Sequence, residues 1–185
     1  MFPEISLHIL DVAENAVRAE ATEIRIGVEA DTKADRLTVT ISNNGCGMTE
    51  EEVRQVTDPF YTTRETRRVG LGIPFFKQAA EMSGGTFAIR SEQGRGTEVE
   101  AVFGLSHVDR MPLGDLPATM HTLITMQDKI DFLYCFRVND RSFHLDTREM
   151  REILGDISFR EAEVSDYLRL YLQDNTNEVT GDHIL

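Results

Sequence analysis

Residues 6–20 read SLHILDVAENAVRAE, and this stretch sets the first element of the fold. Its apolar side chains recur every three or four residues, which predicts an amphipathic helix. On the opposite arc lie Asp11 and Asn15, one turn apart, with His8 and Arg18 beside them, because spacings of three and four keep side chains on one helical face. Taken alone, this polar face is typical of a solvated helix surface.

Three further segments follow, and each could be a simple connection. Residues 43–47 read NNGCG, and an Asn-Gly pair with a second glycine readily forms a tight hairpin-type turn. Residues 57–69 contain a proline, four threonines and three arginines without a sustained period, which predicts a loop. Its basic residues could be solvated charges. Residues 94–97 read GRGT and join two alternating stretches.

The pattern between these segments predicts the fold class. Thr49 and the three glutamates after it indicate a short helix to about Gln55, and the apolar run from Gly70 to Met82 indicates another. Alternating residues predict two pairs of antiparallel strands, at 22–30 with 36–42 and at 86–90 with 98–103. This element order predicts an α+β fold, a two-layer α/β sandwich with helices on one face of a mixed sheet.

The last part of the chain predicts a small α/β extension. A stretch with one glycine and two prolines suggests a linker at 105–117, which would separate an N-terminal domain at 1–104 from the extension at 118–185. Within the extension the pattern predicts strands at 123–126, 130–138 and 142–146, the last two forming a hairpin about Asn139 and Asp140, helices at 147–154 and 159–172, and a frayed polar end at 173–185.

Composition narrows the classes of function. The formal net charge is −13, which argues against a nucleic-acid surface, since such a surface needs clustered Lys and Arg. The chain has two cysteines, Cys46 and Cys135, too few for a disulfide framework and without zinc-ligand spacing. It has no apolar stretch of the ~20 residues that a membrane helix needs. These features predict a cytoplasmic protein that does not bind a membrane.

Together and in this order, the segments Asp11-x-x-x-Asn15, Asn43-Asn44-Gly45-Cys46-Gly47, DPFYTTR at 58–64 with Gly70-Leu71-Gly72, and GRGT at 94–97 resemble the N, G1, F, G2 and G3 boxes of the GHKL (Bergerat-fold) ATPases. That family includes gyrase, the mismatch-repair ATPase, histidine kinases and anti-sigma kinases. The resemblance covers about residues 5 to 104. It implies an ATP-binding domain with ATP and Mg²⁺ as cofactors.

The resemblance assigns roles on the first helix. The family's asparagine at the position of Asn15 supplies an amide oxygen to Mg²⁺, a cation that prefers oxygen ligands. In members that hydrolyse ATP, a carboxylate four residues earlier orients the attacking water, and Asp11 occupies that position. Asp is one methylene shorter than the usual Glu, so hydrolysis could be slow, and Glu14 is an alternative base. Arg18 is expected to contact the nucleotide.

The turn is expected to hold adenine. The family has an Asp at the position of Asn43, whose carboxylate accepts a hydrogen bond from the adenine amino group. An amide is a weaker acceptor, so adenine affinity is expected to fall about tenfold. The resemblance places Gly45, Gly47 and Met48 against the nucleotide, and it gives Thr97 a supporting contact, although a threonine that begins a strand needs no such explanation.

The loop and the helix after it are expected to hold the phosphates. Arg64 follows the paired Thr62 and Thr63 and matches a basic residue of the family that reaches the phosphates. The family places Gly70, Leu71 and Gly72 at a helix start whose free N–H groups face the phosphates. Arg68 replaces a further glycine found in kinases. Phe60 is also expected at the nucleotide site, where it is more typical of a packing residue beneath the loop than of a catalytic one.

The resemblance leaves several functions open. The N box lies within fifteen residues of Met1, so no dimerising hairpin with a phosphoacceptor histidine is expected before it, and a kinase would act on a partner in trans. The pattern is similar to stand-alone histidine-kinase-like ATP-binding proteins of bacteria. A trans-acting kinase, a weak ATPase working as a slow switch, and an anti-sigma-type serine kinase all fit, and so does a scaffold with a degenerate nucleotide site.

The protein partner is not identified by the sequence. The extension at 118–185 or the loop at 57–69 is the expected contact surface, although the extension could also simply cover one edge of the sheet. The sequence also leaves open a homodimer.

Overall fold

The computed structural model of the chain describes residues 3–58 and 72–183. These residues form a six-stranded sheet with the strand order β3-β4-β2-β1-β5-β6, together with six helices. The strands are β1 Glu23–Asp31, β2 Arg36–Asn43, β3 Thr86–Glu92, β4 Gly96–Gly104, β5 Asp131–Val138 and β6 Arg141–Asp146. The helices are α1 Ile5–Arg18, α2 Glu50–Thr57, α3 Gly72–Met82, α4 Leu116–Met126, α5 Thr147–Leu154 and α6 Ala162–Thr180.

The sheet is mixed, as predicted. Strands β1 and β5 run parallel, whereas β1–β2, β2–β4, β3–β4 and β5–β6 are antiparallel. The antiparallel pairs include both pairs predicted from alternation, and β5 with β6 is the predicted hairpin. The parallel pairing needs a long crossover, which the chain supplies through three strands, α2, α3 and α4. The α+β class is therefore confirmed.

One face of the sheet carries the core. In β1 the residues at alternate positions from Ile24 to Ala30 are buried, and β2 and β5 show the same alternation. Helices α1, α3, α4 and α6 pack on this face or on one another. Each fully buried Ile, Val, Leu or Phe stabilises the fold by about 1.5–3 kcal/mol relative to exposure. On the opposite face, Arg25, Gly27 and Thr40 line a groove that the described residues leave open.

Helix α1 lies at the centre of this layer. Its apolar arc is buried, including Ile5, Ile9 and Ala13. The first turn lacks intrahelical partners for its N–H groups, and two of these groups are satisfied by the segment before α4: Ile5 N donates to Pro112 O at 3.0 Å and Ser6 N to Leu113 O at 2.9 Å. The segment predicted as a linker therefore anchors the helix that carries Asp11 and Asn15.

Two predictions for the last part of the chain were wrong. Residues 123–126, predicted as a strand, form the end of α4, because Leu116, Met120, Leu123 and Ile124 follow a helical period and all are buried. Asp115 begins this helix, accepting from Ala118 N at 2.9 Å. The residues after 172, predicted to fray, continue α6 to Thr180, since Leu172 and Val179 are buried on the same side of that helix.

The last two strands continue the same sheet. Because β5 pairs along the whole of β1, one sheet runs through residues on both sides of the predicted linker. Helix α4 also packs on α1. The division into domains at 1–104 and 118–185 stays a prediction. Among the described helices, none has the length and apolar character needed to cross a membrane.

Candidate nucleotide-binding site

The polar face of α1 is held in place by local contacts. Arg18 Nη2 donates to Asn15 Oδ1, and Arg18 Nη1 lies 3.8 Å from Glu14 Oε2. The structure therefore brings Asn15 and Arg18 together, as their spacing on the helix predicted. Glu14, the alternative base, is turned to solvent with a side chain that is 50% exposed. The geometry favours Asp11 over Glu14 as the carboxylate that faces the site.

Asp11 contacts the start of α3. A Cβ added at Gly72 would overlap the Asp11 carboxylate, so this close approach requires glycine. Asp11 Oδ2 is buried, and no group in the described parts of the chain hydrogen-bonds to it. Burial raises the pKa of Asp11 above its ordinary value, and the positive charge of Arg18 opposes this only in part. The carboxylate is thus a stronger proton acceptor than a solvated Asp.

His8 lies one turn before Asp11 in the same contact. Its ring is fully buried and stacks on Phe76 of α3, with ring centroids 5.1 Å apart and planes 9° from parallel. Burial lowers the pKa of His8 to about 4, so the imidazole is neutral at physiological pH. Sequence spacing placed His8 on the polar arc, but its burial depends on α3 and could not be inferred from α1 alone.

At the other end of the site, Asn43 is locked into its turn. Asn43 Oδ1 accepts from Gly45 N at 2.9 Å, and Nδ2 donates to Thr97 O at 3.4 Å. Asn43 and Thr97 are also direct partners in the β2–β4 register. The structure therefore brings the two residues together, and their role at adenine stays a prediction.

The turn glycines are required by protein contacts. Gly47 has φ +66°, and a Cβ there would overlap the Glu92 carbonyl. A Cβ at Gly45 would lie 2.7 Å from Ala19 O, and Cys46 N donates to that same oxygen at 2.9 Å. The turn is thereby fixed between the end of α1 and the end of β3. This packing alone explains why glycine is needed at both positions.

Ser91 is a site residue that sequence reasoning missed. Its Oγ accepts from Met48 N at 2.8 Å, donates to Gly96 O at 2.9 Å and lies 2.7 Å from Thr97 Oγ1. Ser91 and Thr97 are partners in the β3–β4 register, so the strand prediction could have paired them. We call Asn43, Met48, Ser91 and Thr97 the turn cluster. A shallow groove of about 370 Å³ runs along its Asn43, Ser91 and Thr97 side.

Six further residues predicted to contact the nucleotide lie outside the described residues: Phe60, Thr62, Thr63, Arg64, Gly70 and Leu71. A larger groove, of about 510 Å³, lies on the open face of the sheet over Gly27 and Cys135, and the described residues predicted to bind nucleotide do not line it. The candidate site is therefore the α1, α3 and turn region.

The described side chains offer magnesium few protein ligands. Within residues 3–58 and 72–183, no group of three or more His, Cys, Asp or Glu side chains could hold a metal ion. Mg²⁺ in nucleotide sites commonly has one or two protein ligands, with phosphates and water completing its shell. Asn15 supplies one suitable amide oxygen, once Arg18 releases it. The residues present fit a cation that arrives with a nucleotide.

The mixed six-stranded sheet with its helices is consistent with the α+β fold of GHKL ATPases. Residues 4–107 match the family described as histidine kinase-, DNA gyrase B-, and HSP90-like ATPase. Because this match covers more than half of the chain, the protein belongs to that family. The resemblance drawn from the four segments is confirmed.

Individual relatives are sensor and sporulation kinases. The chain is 37% identical over 89 residues to sensor protein kinase FleS of Pseudomonas aeruginosa, which covers 48% of this chain and 22% of FleS. It is 30% identical over 90 residues to sporulation kinase E of Bacillus subtilis, covering 48% of this chain and 12% of the kinase. A third relative, sensor protein DegM of a Bacillus species, is 26% identical over 91 residues, covering 49% of this chain and 24% of DegM. The chain thus spans less than a quarter of each of these relatives.

Proposed function

We propose that the protein binds ATP with Mg²⁺ and regulates a protein partner, either by phosphorylating it in trans or by a switch timed by slow hydrolysis. One observation carries this proposal. Asp11 Oδ2 is buried against the first residue of α3, the helix whose start holds phosphates in the family. A buried carboxylate oxygen without a hydrogen-bond partner in the described chain is costly to keep for packing alone.

The site residues suggest a division of labour. Asp11, with its raised pKa, would orient an attacking water or hydroxyl and accept its proton. Bound Mg²⁺ would neutralise phosphate charge, with Asn15 as its protein ligand. Arg18 would exchange its contact with Asn15 for the phosphates. Asn43 and Thr97 would recognise adenine from the turn cluster.

The partner contact is proposed for the part of the chain after β4. Tyr167 and Leu170 on α6 are 60% and 52% exposed and lie three positions apart on one helical face, and neighbouring exposed apolar side chains are candidates for a partner contact. This part is joined to α1 through α4 and through the hydrogen bonds of Pro112 and Leu113. A partner bound there could therefore sense changes in the helix that carries Asp11 and Asn15.

An anti-sigma-type serine kinase is the second candidate, because such kinases use a carboxylate at the position of Asp11. A scaffold with a degenerate nucleotide site is the third. It is favoured by one feature: Asn43 Oδ1, the expected adenine acceptor, already accepts from Gly45 N. A carbonyl oxygen has two lone pairs and can accept a second hydrogen bond, so this engagement does not close the site.

The first experiment is calorimetric titration of the full chain with ATP and ADP, with and without Mg²⁺. We expect ATP binding that strengthens with Mg²⁺ and that weakens at least tenfold in Asn15→Ala. The matched control is Asn177→Ala, which removes the same side chain from the exposed surface of α6, where it accepts from Gln173 at 3.0 Å. Absence of ATP binding up to millimolar concentration would refute the proposal and leave the scaffold.

The kinase and switch forms differ in where the γ-phosphate goes. With γ-labelled ATP, a slow switch releases labelled inorganic phosphate from the protein alone, and Asp11→Asn abolishes this release while ATP still binds. A trans-acting kinase transfers the label to a second protein in a cell extract, again only with Asp11 intact. Equal release or transfer by Asp11→Asn would remove Asp11 from the mechanism.

A further inference from the structure

The contact between α1 and α3 contains two pairs of residues. His8 stacks on Phe76, and Asp11 lies against Gly72. His8 and Asp11 are three positions apart on α1, and Gly72 and Phe76 are four positions apart on α3. Each spacing is about one helical turn. The two helices therefore pack antiparallel, and the ring stack lies one turn away from the carboxylate contact.

The ring stack is part of a fixed aromatic group. His8 and Phe76 are both 0% exposed. Phe76 also contacts Phe103 of β4 and Phe87 of β3, with ring centroids 5.9 and 6.1 Å apart. Since these strands form the sheet, Phe76 holds α3 at a set height above it, and His8 sets the distance from α3 to α1.

We propose that His8 is a positioning residue, whose ring, stacked on Phe76, fixes the α1–α3 spacing that holds the Asp11 carboxylate against the start of α3. The inference rests on the proposed function, since it gives His8 a part in the step assigned to Asp11. His8 itself touches Phe76 and is not assigned a contact with the nucleotide.

The physical basis is the small tolerance of this contact. The Asp11 carboxylate lies so close to Gly72 that a Cβ there would overlap it, so a change in the α1–α3 spacing alters this contact directly. Misplacement of a reacting group by about 1 Å costs on the order of 100-fold in rate. A flat ring fixes the spacing better than a flexible aliphatic side chain, because a ring is rigid and aromatic pairs favour a few defined arrangements.

The test compares His8→Leu, which fills the space without a ring, with His8→Phe, which keeps a ring. Leu145→Ala, a core change in β6 where Leu145 is 5% exposed, controls for general loss of stability. Three quantities are measured on the full chain: the Kd for Mg-ATP, the rate of γ-phosphate release or transfer, and the ¹³Cγ resonance of Asp11, assigned by its absence in Asp11→Asn.

We expect His8→Leu to lower the rate 10–100-fold while the Kd changes less than threefold, and to move the Asp11 resonance toward that of a solvated carboxylate. His8→Phe should restore the rate and the resonance. The proposal is overturned if His8→Leu behaves like Leu145→Ala, or if His8→Phe fails in the same way as His8→Leu.

The ¹³C measurement separates this inference from the proposed function. If the wild-type protein shows neither phosphate release nor transfer, the proposed reaction fails, and the Asp11 resonance still decides whether the His8 ring positions the carboxylate. A shifted resonance in His8→Leu with an unshifted one in His8→Phe supports the positioning role. An unchanged resonance in both variants refutes it.

Discussion

The two ends of the candidate site differ in how completely the chain satisfies its own polar groups. In the turn cluster, the side chains of Asn43 and Ser91 hydrogen-bond to backbone and to neighbouring groups. At the α1–α3 contact, Asp11 Oδ2 is buried and has no hydrogen-bond partner among the described residues. The turn cluster is therefore preorganised, whereas the α1–α3 contact holds a carboxylate oxygen whose desolvation is not offset by a hydrogen bond from the described residues.

This difference corresponds to two kinds of task. Recognition of a neutral base benefits from donors and acceptors that are already fixed, because little entropy is lost on binding. Proton transfer and phosphate chemistry benefit from a group whose pKa is shifted by its surroundings. The side-chain hydrogen bonds of the candidate site thus lie in the turn cluster, whereas its desolvated carboxylate lies at the α1–α3 contact.

The largest expected effect is that of Gly72→Ala, which breaks the α1–α3 contact. The new Cβ overlaps the Asp11 carboxylate, so either the side chain or α3 must shift, and we expect a loss of about 3 kcal/mol in the free energy of unfolding. Urea unfolding followed by circular dichroism measures this. The double variant Asp11→Ala/Gly72→Ala should recover most of the loss.

Gly27→Ala is the matched control for that substitution. A Cβ at Gly27 would lie 4.0 Å from Thr40 Cβ, which is ordinary contact, so the change should be nearly neutral. Equal losses for Gly72→Ala and Gly27→Ala, or a double variant no more stable than Gly72→Ala, would show that Asp11 and Gly72 do not compete for space.

The next effect concerns the turn cluster. Ser91→Ala removes the acceptor of Met48 N and the donor to Gly96 O, and we expect a loss of about 1–2 kcal/mol together with a weaker Kd for ATP. Denaturant unfolding and calorimetry give the two values. Ser142→Ala, at an exposed position of β6, is the control, and if it matched Ser91→Ala in both values the turn cluster would have no special role.

The sequence predicted the helix face and the strand pairs because both follow from local periodicity. It placed Asp11 near Asn15, since i and i+4 share a face, and the strand register accounts for the contact of Asn43 with Thr97. It misjudged α4, where the apolar run of residues 123–126 also suits a strand. The helix is distinguished from a strand only when the helical period of buried residues is followed from Leu116 onward.

Other features of the fold and the site could not be predicted from the sequence, because they depend on contacts between distant elements. The approach of Gly72 to Asp11, the burial of His8 on Phe76 and the joining of β5 to β1 each involve elements that are far apart in the chain. Periodicity within one element carries no information about which helix packs on it. The sequence therefore predicted candidate site residues by their type and spacing, and the mutual geometry of the described ones follows from the fold.

Asn43→Asp sharpens the comparison from the turn side. It installs the carboxylate that the family uses for adenine, and a charged acceptor should tighten ATP binding by up to about tenfold. Calorimetry with ATP measures the change, and Asn177→Asp on α6 controls for one added negative charge. Weaker binding would mean that the donation from Asn43 Nδ2 to Thr97 O matters more than the acceptor facing the ligand.

The smallest effect is a pH-dependent gain in stability from Asp11→Asn. Burial raises the folded-state pKa of Asp11, so the folded chain keeps this proton to higher pH than the unfolded chain does. The stability tied to that proton is present below the ordinary pKa of Asp and is lost as pH rises through the raised value.

At pH 7 the ionised carboxylate therefore opposes folding, and Asp11→Asn should raise the Tm by about 1–2 °C, with the gain disappearing below about pH 4. Thermal unfolding at pH 7 and pH 4 measures this change in Tm. Asp166→Asn, at an exposed position of α6, is the control. A gain that is equal at both pH values, or a lower Tm at pH 7, would show that the Asp11 carboxylate is not held at a cost. The contrast between the two ends of the site would then lose its electrostatic basis.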